Sequence, residues 1–468
     1  MLFPTLAFGL FFLALYAVAW GVGGRNEWRK LIILTASWVF YGAWDWRFVP
    51  LLMVSSWLNF AAAALIGRLS GARVRRIVVI AGVTANLGIL ITFKYYGFFI
   101  EQARAALAGL NLAADLPLLQ IILPVGVSFF TFQGMSYLID VYRGKLKPAG
   151  LLDVTLLLSF FAHLVAGPIV RGADLLPQFQ TAPRMDREMA SQGLLLIVWG
   201  LFKKTVIATR LATGLVDPAF FDPAHHAPLD LAAAAYGYAV QIYCDFSAYS
   251  DMAIGLAALL GYRFPRNFDQ PYRAASLQDF WRRWHISLSS WLRDYLYIPL
   301  GGSRGGLAIA CRNLMITMLL GGLWHGAAWT FLIWGALHGG ALCVERIWGA
   351  RKPAAWPRLP AILGVALTFH IVCLGWIFFR AASFDEAILF LRSLGAAGGP
   401  PSLLTPLSLA LIVIGLAVQA SPPRILEGIA GRLGALPAPI VGVIVAGAIM
   451  AIDALRPAGV APFIYFQF

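Results

Sequence analysis

The sequence predicts an all-α, polytopic membrane helical bundle of about 11–12 transmembrane helices, joined by a re-entrant piece and an interfacial amphipathic helix. Three observations predict it. Hydrophobic residues make up 60% of the 468 and charged residues only 12%, roughly half the charged share of a soluble domain; mean hydropathy is +0.75. Apolar runs close to the ~20 residues of a helical span recur along the whole chain. The lysines and arginines behind the net charge of +14 gather in short connections between those runs, as positive-inside topology produces. That placement accounts for the basic balance without a nucleic-acid partner.

Taken in order, the first run, at 2–21, lacks the basic leader and small-residue cleavage site of a signal peptide and reads as a span. Further spans fall at about 29–45, 47–67, 76–99, 120–141, 190–214 and 230–260, then at about 307–325, 328–345, 359–379, 403–420 and 436–454. The stretch LLDVTLLLSFFAHLVAGP at 151–168 is apolar but closes on Gly167-Pro168. It reads as re-entrant or broken, which a membrane tolerates only where protein covers the backbone. Arg68, Arg73, Arg75 and Arg76 mark one connection, Arg143, Lys145 and Lys147 a second, and Arg346, Arg351, Lys352 and Arg358 a third. These are expected on the cytoplasmic side. The 217–230 loop, with no Lys or Arg, is expected outside, together with both termini. A single membrane domain over 1–468 follows, with 262–304 as a cytoplasmic-side insert. Cys244, Cys311, Cys343 and Cys373 lie in or beside apolar runs without a C-x-x-C pair, so neither a disulfide nor a metal framework is expected.

The insert is expected to carry one helix from Leu277 to Tyr297. At ~100° per residue, Trp281, Trp284, His285, Leu288, Trp291, Leu292 and Tyr295 share one face, and Arg282, Arg283, Ser287, Ser290, Arg293 and Asp294 the other. An aromatic face opposite a basic one describes a helix in the membrane interface. His285 is either a headgroup-level hydrogen-bonder or part of a site entrance.

Ionisable groups inside spans are costly, so each is a functional candidate: Asp140, His163, Asp245, Asp251, His325, His338 and His370. Asp140 sits beside Tyr142 and Arg143 and reads as a paired carboxylate. QIYCDFSAYSDMAIG gathers Asp245, Ser247, Tyr249 and Asp251 on one helix, which implies a polar cavity or an inter-helix network. His325 ends an apolar span among Gly321, Gly322, Gly326 and Trp324 and Trp329. Glycines allow close approach, and imidazole accepts a hydroxyl proton near neutral pH. Hydrogen-bonding a neighbouring helix is the alternative reading. No nucleophile elbow, phosphate loop or zinc-protease pair is present; His225-His226 reads as a solvated loop.

GGLWHGAAWTFLIWGALHG resembles the signature histidine segment of the membrane-bound O-acyltransferase family, and WRRWHISLSSWLRDYLYIPLGGSR the segment preceding it in bacterial members. LPVGVSFFTFQGMSYLIDVYRG, VAGPIVRGADLLPQF, YAVQIYCDFSAYSDMAIGLAALLGYRFPRNFDQPY and the ending PFIYFQF also resemble this branch, on its alginate O-acetyltransferase side. The resemblance implies a membrane domain with a funnel or tunnel at the histidine. It implies transfer of an acetyl group from a cytoplasmic donor towards hydroxyls of an extracytoplasmic polysaccharide, in a bacterial inner membrane. His325 matches the family's essential histidine and His285 its second; Asp245, Ser247 and Tyr249 fall in a motif carried here as pocket residues. The donor is expected to be acetyl-CoA or an acyl carrier thioester, with no bound cofactor, and periplasmic acetyltransferase-like proteins are expected as partners beside membrane lipids. Trp324, Trp329 and Asn313 are candidate oxyanion donors, and Arg282 and Arg283 candidate contacts for an acidic donor. His325 is expected to act as general base or to take the acyl group itself. A transporter of donor or glycan, a scaffold for periplasmic enzymes, and D-alanyl transfer to teichoic acid are the alternatives.

Overall fold

The protein is seen in a computed structural model that describes residues 3–112, 119, 121–351, 360–422, 424–459 and 461–464. Lys352, Arg358 and the last four residues of the PFIYFQF ending lie outside the described residues. Helices and turns make up the described chain, with no strand among them. Contacts group it into two compact units: Met1–Met185 with Leu256–Pro265, and Asp186–Gly255 with Arg266–Phe468.

In the first unit the helices Leu6–Gly21, Asn26–Asp45, Val49–Arg68, Ala72–Leu90 and Val127–Tyr142 follow the expected spans. Thr5 caps the first of them, its hydroxyl accepting from the Phe8 amide. Buried Lys30 pairs with Asp153 at 2.7 Å, and the Arg29 guanidinium donates to three backbone carbonyls, those of Ala19, Gly23 and Pro183. The expected broken helix is present: Leu151–Ser159 stops at Phe160, where ψ is 112°, and Phe161–Leu164 resumes it. Nearly every residue from Asp153 to Val170 is buried. His163 lies buried in this piece with Nε2 3.0 Å from the Leu157 carbonyl. Arg75 donates to the Tyr142 carbonyl at 3.2 Å, so two of the basic connections meet.

Among the described residues, five helical stretches are long and apolar enough to cross a membrane, or six if one bent pair counts as a span: Asn26–Arg68, Ala72–Gly109, Leu307–His325, Ala361–Arg380, Ala438–Leu455 and the bent pair Pro406–Ala420 with Ile425–Gly434. Their outward faces are apolar: Leu6 in the first unit is 80% exposed and Val443 in the second 72%. A solvent of lipid accepts such faces, whereas water penalises them. The long helices Pro228–Leu259 and Trp329–Arg351 are less apolar because they carry the buried polar residues of the site.

Within the second unit, Arg187–Leu201 continues as a π-helical turn, Phe202–Ala208, and packs on Pro228–Leu259 through glycines. A Cβ on Gly255 would meet the Ile197 side chain at 2.9 Å, and one on Gly200 the Met252 side chain at 2.6 Å. Small residues let helix backbones approach in lipid, where no hydrophobic force drives them together.

The single helix expected over Leu277–Tyr297 is instead broken. Leu277–Arg283 ends at Trp284, His285 takes a left-handed conformation (φ 43°, ψ 56°), and Ile286–Leu292 restarts. The reason is a competing partner. The Ile286 amide donates to the Asn267 carbonyl at 2.9 Å, and the Ser287 amide to the Asn267 side chain at 3.2 Å. The expected aromatic face is buried in protein: Trp284, His285, Leu288, Trp291 and Leu292 are all under 9% exposed.

Candidate active site

His325 is the last residue of Leu307–His325, and Gly326 leaves the helix in extended backbone. The short turn after it leads straight into Trp329–Arg351, so the two helices lie against each other. Glycine makes that packing possible. A Cβ on Gly322 would collide with the Phe331 carbonyl, and one on Gly335 with that of Met318. At this spacing the Trp334 ring meets His325 edge-on, centroids 4.9 Å apart. Trp324 at 5.1 Å and Phe379 at 5.2 Å complete the surround. All four rings are buried.

Trp324 also touches His285, at 5.9 Å, so one indole stands between two imidazoles. The left-handed backbone at His285 is sparsely populated for a non-glycine residue, and its surroundings hold it. Asn267 Oδ1 lies 3.2 Å from Nδ1, and Phe246 meets the ring edge-on at 4.6 Å. Nε2 is buried without a hydrogen-bond partner among the described residues. Such orphaned polar atoms mark ordered water or function.

A cavity of about 440 Å³ opens between the insert and the Leu307–His325 and Trp329–Arg351 helices, lined by Trp281, Arg282, Ser289, Ser290, Arg293, Thr317 and Arg346 among others. Arg293 is neutralised by Asp294 at 2.7 Å. Arg282 and Arg346 have no ion-pair partner among the described residues. Glu345, on the same wall, is already engaged by the amides of Leu277 and Gln278. The cavity is therefore basic and rich in hydroxyls. Its wall residue Trp281 packs on Trp334 at 5.7 Å, and Trp334 packs on His325, so two indoles stand between the cavity and the imidazole.

The structure brings together His325, His285 and Trp324, with Arg282 on the wall of the cavity beyond Trp334 and Trp281. It places the other candidates elsewhere. Arg283 is held by Asp279 at 2.9 Å and Asp269 at 3.7 Å. Trp329 is 56% exposed, and Trp334, on the same helix, packs on His325. Asn313 lies roughly 18 Å from His325 along its helix at 1.5 Å per residue. Its amide donates to the Gly302 carbonyl and accepts from Arg312. Asp245 pairs with Lys204 at 2.7 Å, and Ser247 accepts from Lys203 at 2.6 Å. Tyr249 stacks on Phe463 with centroids 4.3 Å apart. These three are bound into the protein's own network.

Sequence reasoning missed Lys203 and Lys204, although two lysines inside an apolar run are as costly as the aspartates they pair with. It noted His338 without placing it. That ring is buried against Trp334 at 4.7 Å and Trp281 at 5.4 Å. Among the described residues, neither of its nitrogens, nor the indole nitrogens of Trp281 and Trp334, has a hydrogen-bond partner.

Residues 139–384 match the MBOAT, membrane-bound O-acyltransferase family. The chain is 42% identical over 393 residues to a probable alginate O-acetylase, AlgI, of Pseudomonas aeruginosa, covering 83% of this chain and 73% of the relative. It is 37% identical over 397 residues to a peptidoglycan O-acetyltransferase of Helicobacter pylori, covering 79% and 74%. A teichoic acid D-alanyltransferase of Bacillus subtilis is 28% identical over 278 residues, covering 56% and 70%.

Proposed function

The chain belongs to the membrane-bound O-acyltransferase family and is a multi-pass O-acyltransferase, and from that premise we propose that it moves acetyl groups from a cytoplasmic thioester towards hydroxyls of an extracytoplasmic polysaccharide. The membrane would be the bacterial inner membrane. The observation that carries the reading is His325, sealed by Trp324, Trp334 and Phe379 and joined to a basic cavity through Trp334 and Trp281. Water exclusion strengthens polar interactions at such a centre and suppresses thioester hydrolysis.

In the proposed reaction the imidazole of His325 takes the proton of the acceptor hydroxyl while that oxygen attacks the thioester carbonyl carbon. The C–O bond forms, the C–S bond breaks, and the thiolate leaves with the proton returned from the imidazolium. Indole or backbone N–H groups near the oxygen of the tetrahedral intermediate would stabilise its charge. Arg282 and Arg346 would hold the phosphate groups of a coenzyme A or phosphopantetheine donor. Arg346 belongs to a connection read as cytoplasmic, which supports donor entry from that side. Acetylase relatives support acetyl as the acyl group, and periplasmic acetyltransferase-like partners would finish delivery to the polymer.

His325→Ala tests it. With the variant present in the membrane at the wild-type level, polymer acetylation and release of free thiol from acetyl thioester should both be lost. Wild-type acetylation would refute the reading. Retained substrate flux without thiol release would point to transport, and an acetylated His325 trapped by acid quench would replace the general base with a covalent carrier.

A further inference from the structure

We propose that the C-terminal segment Pro462–Ile464 is a built-in wall of the reaction centre, and that the buried Lys204–Asp245 pair exists to hold it there. The inference rests on His285 belonging to that centre.

Phe463 and Ile464 are fully buried. The Lys204 ammonium and Asp245 carboxylate lie 2.7 Å apart, each almost completely buried. Lys204 also donates to the Pro462 carbonyl at 3.1 Å, and the Ile464 amide donates to Asp245 Oδ2 at 3.0 Å. Apolar side chains would join two helices at lower cost than a desolvated ion pair. What apolar side chains lack is the capacity to bind a passing backbone, and both members of this pair use it on the same three residues.

The segment so held points at the histidine. Phe463 stacks on Tyr249 at 4.3 Å and packs on Phe246 at 6.0 Å. Phe246 in turn meets the His285 ring edge-on at 4.6 Å, with the planes at 88°. On its other sides His285 has Asn267 and Trp324, the latter in contact with His325. His285 sits on strained, left-handed backbone, so its ring direction is set by its neighbours. Phe463 backs the neighbour that closes one side, which makes it a positioning residue.

The fold supplies its own control. Lys203, next to Lys204 on the π-helical turn, pairs with Asp251 at 2.7 Å and bonds Ser247. This second pair joins the same two helices, and none of its recorded partners is in the C-terminal segment.

The test uses the full-length protein purified with its partners. Thermal unfolding, and kcat and KM for acetyl thioester turnover, are read across Phe463→Met, Phe463→Leu, Phe463→Ala, Lys203→Met and His285→Ala. The proposal expects kcat to fall with side-chain size at position 463, by about tenfold or more at Ala, with KM within about twofold and Met close to wild type. Lys203→Met should lower the unfolding midpoint and leave kcat near wild type. If Phe463→Ala does not fold, Met and Leu still report the trend. An inactive His285→Ala beside wild-type kcat in the Phe463 series would overturn the proposal. So would a kcat that tracks the unfolding midpoint equally in the Phe463 and Lys203 variants. Wild-type turnover in His285→Ala would instead sink the reading of the site on which the proposal rests.

Discussion

Gly322→Ala should separate activity from stability. The added Cβ would overlap the Phe331 carbonyl oxygen and stand 3.1 Å from its carbonyl carbon and 3.4 Å from Gly335 Cα. All of these are backbone atoms on the facing helix, so no side chain can swing aside. Relief requires Leu307–His325 and Trp329–Arg351 to part by about 1 Å, an overpacking cost of ~1–3 kcal/mol. The better helix propensity of alanine returns up to ~1 kcal/mol. The net loss is a fraction of the ~5–15 kcal/mol that typically holds a domain, so the variant should remain folded in the membrane. Parting the helices also parts His325 from Trp334, and a ~1 Å misplacement of a catalytic group costs on the order of 100-fold. Acetyl thioester turnover and unfolding temperature, measured on the same detergent preparation, give the comparison. Gly340→Ala is the control, since a Cβ there meets nothing within 4 Å, and it should behave as wild type. Near-wild-type turnover in Gly322→Ala would refute the claim that this helix contact sets the geometry at His325.

Three further outcomes are expected. Arg282→Gln and Arg346→Gln should each raise KM for the thioester donor by roughly tenfold with little change in kcat, the worth of one charge-assisted hydrogen bond; an unchanged KM in both would remove the phosphate assignment. His338→Leu should be at least as heat-stable as wild type, since it removes two buried nitrogens without partners at ~1–3 kcal/mol each, while turnover falls; a marked loss of stability would show those nitrogens to be structural. On the 217–230 loop, the hydrogen bond from His225 Nδ1 to Asp222, and then that residue's charge, raise the His225 pKa above its ordinary value. The pair's stabilisation is fully present below the ordinary histidine value and disappears as pH rises through the raised one. The pH midpoint for carbethoxylation of His225, read by mass spectrometry, should therefore move down in Asp222→Asn.

Much of the site was legible because its signals are local. Glycines and tryptophans around His325 announce a tight, dry helix end within ten residues of sequence. The cost of charge in lipid singled out Asp245 and Asp251. What it could not supply was partners. Asp245 reads as a pocket residue until Lys204 and the Ile464 amide are found on it. Asn313 reads as an oxyanion donor until its distance along the helix and its bond to Gly302 are known. Helical periodicity also misread 277–297, because Asn267 draws off the amides after His285 and no pattern within the segment reveals that competitor.

The sequence alone determined that this is a many-helix membrane protein, since composition and loop charge are sums over residues and need no coordinates. Its resemblance to the family singled out His285 and His325 as candidate histidines. Only tertiary structure decided that they share Trp324, that Trp334 and Phe379 close the cage, and that Phe463 lies behind the Phe246 ring that packs on His285. Apart from His325–Trp324 and His325–Trp334, those contacts join residues tens to hundreds of positions apart. They depend on glycine-mediated helix spacing, a left-handed backbone turn and buried ion pairs, whose geometry exists only after the helices have packed.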